Sequence, residues 1–159
     1  MSKDPGTTRK LICQNKKARF RFDIVESMEA GLVLTGTEVK SLRLGRANLS
    51  DAYAKIRKGE VWLYNANISP YPFAYHDNHD PLRPRKLLFH KSEIKRLIGK
   101  IEEKGFTLIP LKLYFSQSHV KAEMALAKGR NVVDRRHELK KRDANRELDR
   151  QKKNYKIKT

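Results

Sequence analysis

The sequence predicts a mainly β protein: a closed or nearly closed antiparallel barrel of about six strands, flanked by short helices and followed by a basic tail. Three observations predict it. Runs of alternating apolar and polar residues recur over the first four-fifths of the chain, the period of half-buried strands. Two segments show helical spacing with cap residues at their ends. Residues 128–159 hold 13 Lys+Arg against 5 Asp+Glu, a net of +8, and few apolar side chains. Such a segment cannot bury enough surface to fold alone.

Residues 1–10 are polar, with Pro5 and Gly6, and read as a flexible N-terminus. Phe20, Phe22 and Ile24 alternate with Arg21 and Asp23, which predicts a strand. Glu29-Ala30-Gly31 reads as a turn into a return strand beginning Leu32-Val33-Leu34. Thr35 and Glu38 have capping-box spacing, and Gly45 offers a positive-φ stop, so a short helix is expected at about 37–44. Tyr53 to Leu63 forms a hairpin across Lys58-Gly59, with strand pairing continuing to about Ile68. Residues 69–84 contain four prolines and read as a long loop. Ile94, Leu97, Ile98 and Ile101, with Leu87 and Leu88 before them, mark a second helix ending at Gly105. Phe106–Phe115 is strand-like, with Pro110 at an edge or bulge. His119–Leu126 alternates as a half-buried strand with a polar outer face. Ser116-Gln117-Ser118 joins these two strands. The barrel thus spans 11–127 and the tail 128–159. OB-type barrels are one such architecture, with nucleic-acid-binding members.

Composition narrows the function. The 159 residues carry a net charge of +18, a field that attracts polyanions, nucleic acid foremost. A merely soluble basic surface is the bland alternative. An anionic membrane surface would want an amphipathic helix with one apolar face, and none is legible. No apolar run reaches the length of a membrane span, and the first twenty residues hold no signal-like stretch. The single cysteine, Cys13, excludes an intramolecular disulfide and a Cys-based zinc module, and fits a reducing, cytoplasmic setting.

Sequence motifs of catalysis are missing: there is no phosphate loop, dinucleotide fingerprint, zincin motif or nucleophile elbow. His76-Asp77-Asn78-His79-Asp80 is the one cluster with metal-binding or acid–base potential. A solvated polar loop explains it better, because all its candidates share one loop. Cys13 reads as a small half-buried side chain rather than a nucleophile. For Glu38 two readings stay open, a capping carboxylate or a polar contact to RNA ribose or base edges. Phe20, Phe22, Trp62 and Tyr64 sit at strand spacing and belong mostly to the core. Tyr71, Phe73 and Tyr75 can stack on bases, although packing of the loop onto the barrel is the better expectation.

Six runs carry a more specific signal: Asn15-Lys16-Lys17-Ala18, Glu29-Ala30-Gly31, Gly36-Thr37-Glu38-Val39-Lys40-Ser41-Leu42-Arg43, Arg85-Lys86-Leu87-Leu88, Lys104-Gly105 and Ala127-Lys128-Gly129. In this order, over about residues 10–136, they resemble the SsrA-binding protein (SmpB) family. The resemblance implies an OB-like β-barrel and a non-catalytic adaptor without metal or cofactor. Such an adaptor binds the tRNA-like domain of transfer-messenger RNA (tmRNA) and delivers it to stalled ribosomes for trans-translation, that is, rescue and peptide tagging. The tail, disordered when free, becomes helical in the empty mRNA channel near the decoding centre. The implied partners are tmRNA and the 30S and 50S ribosome, with elongation factor Tu and alanyl-tRNA synthetase engaged indirectly through tmRNA. The protein would be cytoplasmic, monomeric and free of membranes.

Carried over by motif, the tmRNA-binding residues are Asn15, Lys16, Lys17, Ala18, Glu38, Leu97, Lys121 and Lys128. The ribosome-binding tail residues are Gly129, Arg130, Asp134, Arg135, Arg136, Lys140, Lys141 and Arg142. The family's Gly-Lys-Lys and Asp-Lys-Arg motifs correspond to Gly129-Arg130-Asn131 and Asp134-Arg135-Arg136, so Asn131 replaces a cation. Val133 stands where many relatives carry a histidine that stacks on a ribosomal base. Two other classes compete with this reading. One is a general OB-fold ribosomal or translation protein that binds rRNA. The other is an RNA-acting enzyme built on His76, Asp77, His79 and Asp80.

Overall fold

The computed structural model describes residues 8–129 and 132–157. It divides into two compact units, Met1–Lys128 and Gly129–Thr159. In the first, the strands are β1 (Arg9–Gln14), β2 (Phe22–Leu32), β3 (Ala47–Asn48), β4 (Tyr53–Arg57), β5 (Glu60–Tyr64), β6 (Asn67–Ile68), β7 (Arg85–Leu88), β8 (Thr107–Ser116) and β9 (His119–Gly129). The helices are α1 (Ala18–Arg21), α2 (Gly36–Arg43) and α3 (Lys91–Lys104), and α4 (Val132–Ile157) lies in the second unit. Hydrogen bonding runs β8–β4–β5–β7–β2–β9 and returns to β8. This ring of six strands is the expected barrel. β1 adds a seventh strand on β8, and β3–β6 form a separate two-stranded sheet.

Local chemistry sets most elements. Thr35 and Glu38 close a capping box around the first turn of α2. Gly105 ends α3 in the left-handed conformation at φ 64°. Lys58 and Gly59 both have positive φ (51° and 73°), the geometry of a tight hairpin turn. The β8 register shifts between Pro110 and Lys112, the bulge that a residue without an N–H invites. Leu42, Leu63, Leu87, Leu108, Leu113, Met124 and Leu126 fill the interior, and α3 lays Leu97, Ile94 and Ile101 against them.

Three expectations change. Residues 22–32 form one continuous strand with no turn at 29–31. Ala30 is buried in the core, and Gly31 pairs with Leu88. A Cβ on Gly31 would come within 3.3 Å of Leu88, so this glycine serves close approach and not reversal. The segment Arg85–Leu88 is a strand, inserted between β5 and β2. Arg85 occupies an inward position there, which hides the alternation. Strand β1 begins at Arg9, inside the stretch expected to be flexible, since β8 offers its edge to it. Residues 1–7 of that stretch lie outside the described set.

In the second unit Val132–Ile157 is a helix of 26 residues, the form expected of the bound tail, and it contains no glycine or proline. From Arg136 to Lys153 every residue is exposed except half-buried Glu138, so no apolar stripe supports it. Among the described residues, no helix is long and apolar enough to cross a membrane.

Two buried charges organise the long loop. Glu38 and Arg85 have no exposed side-chain surface. The Arg85 Nε donates to Glu38 Oε1 at 3.0 Å. Arg83 forks onto both oxygens at 2.9 and 2.8 Å, and the Thr35 amide donates at 3.0 Å. Burial alone would push the Glu38 carboxyl up. The Arg83 hydrogen bonds, the Thr35 amide and the Arg85 charge outweigh it and hold the carboxyl below its ordinary value. A carboxyl lowered on folding contributes stability above its unfolded value, about 4.3, and loses that contribution as pH falls through its folded value. Glu38→Gln should therefore cost about 3–5 kcal/mol at neutral pH in urea unfolding, because both arginines lose their counter-charge. The difference between wild type and variant should shrink below about pH 4.

Candidate nucleic-acid interface

The turn between β1 and α1 presents cations on a rigid mount. Asn15 is buried and donates through Nδ2 to the carbonyls of Leu49 and Pro110, each at 3.1 Å. Its own amide donates to the Leu111 carbonyl at 2.7 Å. Because Nδ2 serves two carbonyls, Oδ1 is the remaining acceptor, and it has no protein partner. Ala18 is buried against Ile109, Leu111, Ala125 and Ala127. With Asn15 and Ala18 turned inward, Lys16 and Lys17 between them are exposed, as is Arg19. None of these three cations forms an ion pair among the described residues.

This arrangement explains a departure from the expected pattern of β9. Its alternation gives way to a continuous buried run, Met124–Ala127. Ala125 and Ala127 lie under α1 in a second small core, so β9 there is covered on both faces. A cavity of about 80 Å³ opens beside the turn, bounded by Asn15, Lys16, Arg19, Lys112 and Glu123.

The same outer face continues along β1, β8 and β9. Gln14 stands opposite Lys112, which stands opposite Glu123, and Lys112 pairs with Glu123 at 2.8 Å. Two residues on, Tyr114 faces Lys121. Glu29 of β2 accepts from Lys121 at 2.8 Å and from the Tyr114 hydroxyl, with Arg9 at 3.4 Å. Burial pushes the Glu29 carboxyl up, but Lys121 and Tyr114 more than reverse it. Burial, then Glu29, pushes the Tyr114 phenol up. Lys121 therefore reaches the face partly neutralised. Lys128 is exposed at the end of β9.

The structure thus joins Lys16, Lys17 and Lys121 on one face and separates the others from it. Glu38 caps α2, is fully buried and is engaged by Arg83 and Arg85, so its carboxylate lies beneath the surface. Leu97 is a core residue of α3. Asn15 and Ala18 hold the turn in place. Arg19 and Lys112 belong to the face yet carried no sequence signal, since which strands adjoin the turn is a matter of topology. Arg85 stood in the quoted run Arg85-Lys86-Leu87-Leu88 without an assigned role, and Arg83 had only a faint signal, an arginine beside Pro84 at the end of the loop.

The remaining candidates fall as follows. His79 is held between Thr37 (Nδ1 to Oγ1, 2.9 Å) and the Ile68 carbonyl (2.8 Å to Nε2), and Asn78 ties the loop to Tyr71. Both pin the 69–84 loop. Among the described residues no three His, Cys, Asp or Glu side chains gather closely enough for a metal ion. Tyr71 packs edge-on against Phe73, with the Lys40 ammonium 5.6 Å from its ring. Phe73 and Tyr75 are exposed, Tyr75 at 90%, contrary to the expectation that the loop aromatics pack down. Burial pushes the Cys13 thiol up to about 11, which leaves it protonated and unreactive at neutral pH. In the tail, Gly129 ends β9 and Asp134 and Arg135 lie within α4. Arg136, Lys140, Lys141 and Arg142 are exposed on α4, and Arg130 lies outside the described residues.

The chain is similar to known proteins over most of its length. A family model described as SmpB protein matches residues 12–154. The SsrA-binding protein of Syntrophobacter fumaroxidans is 60% identical over 148 residues, covering 92% of each chain. The SsrA-binding protein of Thermosynechococcus vestitus is 51% identical over 146 residues, covering 91% of this chain and 96% of that one. A chain in a solved structure described as "tmRNA-SmpB: a journey to the center of the bacterial ribosome" superposes with a TM-score of 0.64 at 45% identity. The match covers 76% of this chain and 85% of that chain.

The mount of the cationic turn can be tested directly. Asn15→Ala leaves the Leu49 and Pro110 carbonyls without their donor. It should cost about 1–3 kcal/mol in urea unfolding and speed amide exchange at Lys16–Ala18.

Proposed function

The chain belongs to the SmpB family, and from that premise we propose that it is a non-catalytic adaptor that binds the tRNA-like domain of tmRNA and brings it to stalled ribosomes for trans-translation. The observation that carries the proposal is the exposed Lys16-Lys17 turn with Arg19, held on a rigid barrel face that also carries Lys121. Cations on a fixed mount place a phosphate backbone in one register. A folded RNA is then read by shape, unpaired bases and 2′-hydroxyls. On this reading Asn15, Ala18, Glu38 and Leu97 support recognition from below, and the cations touch RNA.

The second unit suits a different task. A polar helix of 26 residues is about 39 Å long and gains little by packing on protein. A polyanionic channel would neutralise it. Its cations Arg135, Arg136, Lys140, Lys141 and Arg142, after Gly129, Arg130 and Asp134, are assigned to the mRNA path beside the decoding centre. An mRNA already in that path would exclude the helix sterically and electrostatically, so occupancy would be sensed rather than sequence. The 30S and 50S subunits are then direct partners, and elongation factor Tu and alanyl-tRNA synthetase indirect ones through tmRNA. The adaptor acts as a cytoplasmic monomer without cofactor.

Two outcomes follow. In a salt titration, preference for the tRNA-like domain over an unstructured RNA of equal length should persist. Lys16→Ala and Lys17→Ala should each lower the slope of log affinity against log salt by about 1. If the two RNAs bind equally and fall together with salt, charge alone is binding and a general translation protein is the better account. Truncation after Gly129 should leave binding to the tRNA-like domain unchanged and abolish tagging on stalled ribosomes. Intact tagging would remove the tail from the mechanism.

A further inference from the structure

A second aromatic and cationic surface lies on the β4–β5 hairpin, on strands other than β1, β8 and β9, which carry the cationic face. Ala54, Val61 and Leu63 point into the core, so Tyr53, Lys55, Arg57, Trp62 and Tyr64 form the outer face. Register sets Tyr53 opposite Tyr64 and Lys55 opposite Trp62. The two tyrosine rings stack with centroids 5.7 Å apart and planes 22° from parallel. The Lys55 ammonium lies 5.5 Å from the Tyr53 ring, and Arg57 donates to the Tyr64 hydroxyl at 3.2 Å.

Beside this face the barrel opens. β4 pairs with β8 through Ala54 and Leu108, and the antiparallel register carries its later residues past Thr107, where β8 begins. A cavity of about 500 Å³ lies there, between the hairpin and the C-terminal half of α3. Ile98, Ile101, Phe106 and Leu108 wall it, Tyr53 and Lys55 flank it, and Lys58 and Glu102 stand at its rim.

We propose that this groove is a second RNA site that takes one unpaired nucleotide of an RNA strand. The base enters between the aliphatic wall and Tyr53, and the phosphates rest on Lys55 and Lys58. The volume falls within the range of small-molecule sites, roughly 300–1,000 Å³. An apolar slot with cations at its mouth matches a nucleotide, whose base has two apolar faces and whose phosphate is anionic. Charge favours RNA over a protein segment. Lys55, Arg57 and Lys58 are exposed, whereas Glu60, the nearby carboxylate on the sheet, is taken by Lys86 at 2.8 Å. Glu102 remains to accept a hydrogen bond from a base amino group. This site does not depend on the tmRNA assignment of the Lys16-Lys17 turn.

Trp62, the one tryptophan of the chain, lies opposite Lys55 across the hairpin and reports on ligand that engages Lys55. The full chain is titrated with hexa-adenylate and with hexauridylate while Trp62 emission is followed. A saturable change is expected. Tyr53→Ala should weaken binding about tenfold with the salt slope preserved, and Tyr53→Phe should bind like wild type. Lys55→Ala with Lys58→Ala should weaken binding and lower the slope by about 1.4, the value for two phosphates on a single strand. That pair alters only exposed side chains, so it tests the site even if Tyr53→Ala does not fold. Lys16→Ala with Lys17→Ala should leave the Trp62 signal intact. The proposal is overturned if saturating oligonucleotide leaves Trp62 unchanged, or if the groove variants bind like wild type. Photo-crosslinking from position 58 to polypeptide, with no crosslink to RNA, would make the groove a protein-binding surface and would equally overturn it.

Discussion

A carboxylate with no exposed surface, gripped by two guanidiniums, is the constraint on which the rest of the barrel depends. Glu38 lies in the first turn of α2, Arg83 near the end of the long loop and Arg85 at the start of β7, so one cluster joins two regions more than forty residues apart. Arg85 also donates to the backbone carbonyls of Ala66 (2.6 Å) and Pro81 (3.2 Å). It gives the carbonyl of buried Ala66 a donor, and it adds to the Ile68 amide that already donates to the Pro81 carbonyl at 3.0 Å. Burying such charges is expensive and stabilises only with every partner present. The cluster therefore specifies one loop path more than it adds free energy. With the path set, His79 reaches Thr37 and the Ile68 carbonyl, and Asn78 closes the loop on Tyr71.

A parallel logic holds the cationic Lys16-Lys17 turn. Asn15 and Ala18 fix the location of the turn from below. The amide of Asn15 fills two carbonyls, one beside the β8 bulge at Pro110. Ala18 is small enough for α1 to sit on β8 and β9. Alternation along Asn15-Lys16-Lys17-Ala18 then has a simple cause, in that the outer residues anchor and the inner two project. A motif that reads as four recognition residues divides into two that are exposed and two that are buried.

Charge is used differently in the two units. On the barrel many cations face carboxylates: Arg96 and Lys100 meet Glu26, Lys112 meets Glu123, and Lys86 meets Glu60. Exposed pairs of this kind add little stability, and other barrel cations, Lys55 and Lys58 as well as Lys16 and Lys17, stay exposed. On α4 the cations from Arg136 onward are exposed over a helix with no core face. One unit can thus recognise a shape, and the other can respond to a field.

Much was legible in the sequence because it is local. The caps of α2 and α3, the Lys58-Gly59 turn, the Pro110 bulge and the basic tail each depend on a few adjacent residues whose backbone preferences or charge decide the outcome. The GTEVKSLR run and its companions identified the family for the same reason. Tertiary structure alone decided what depends on distant partners. Gly31 continues a strand because Leu88 packs over it. Arg85–Leu88 is a strand because β2 and β5 leave a gap that it fills. Glu38 is a buried anchor because Arg83 and Arg85 return to it across more than forty residues. Periodicity reports which side of an element is apolar; what lies against that side is settled only when the chain has folded around it.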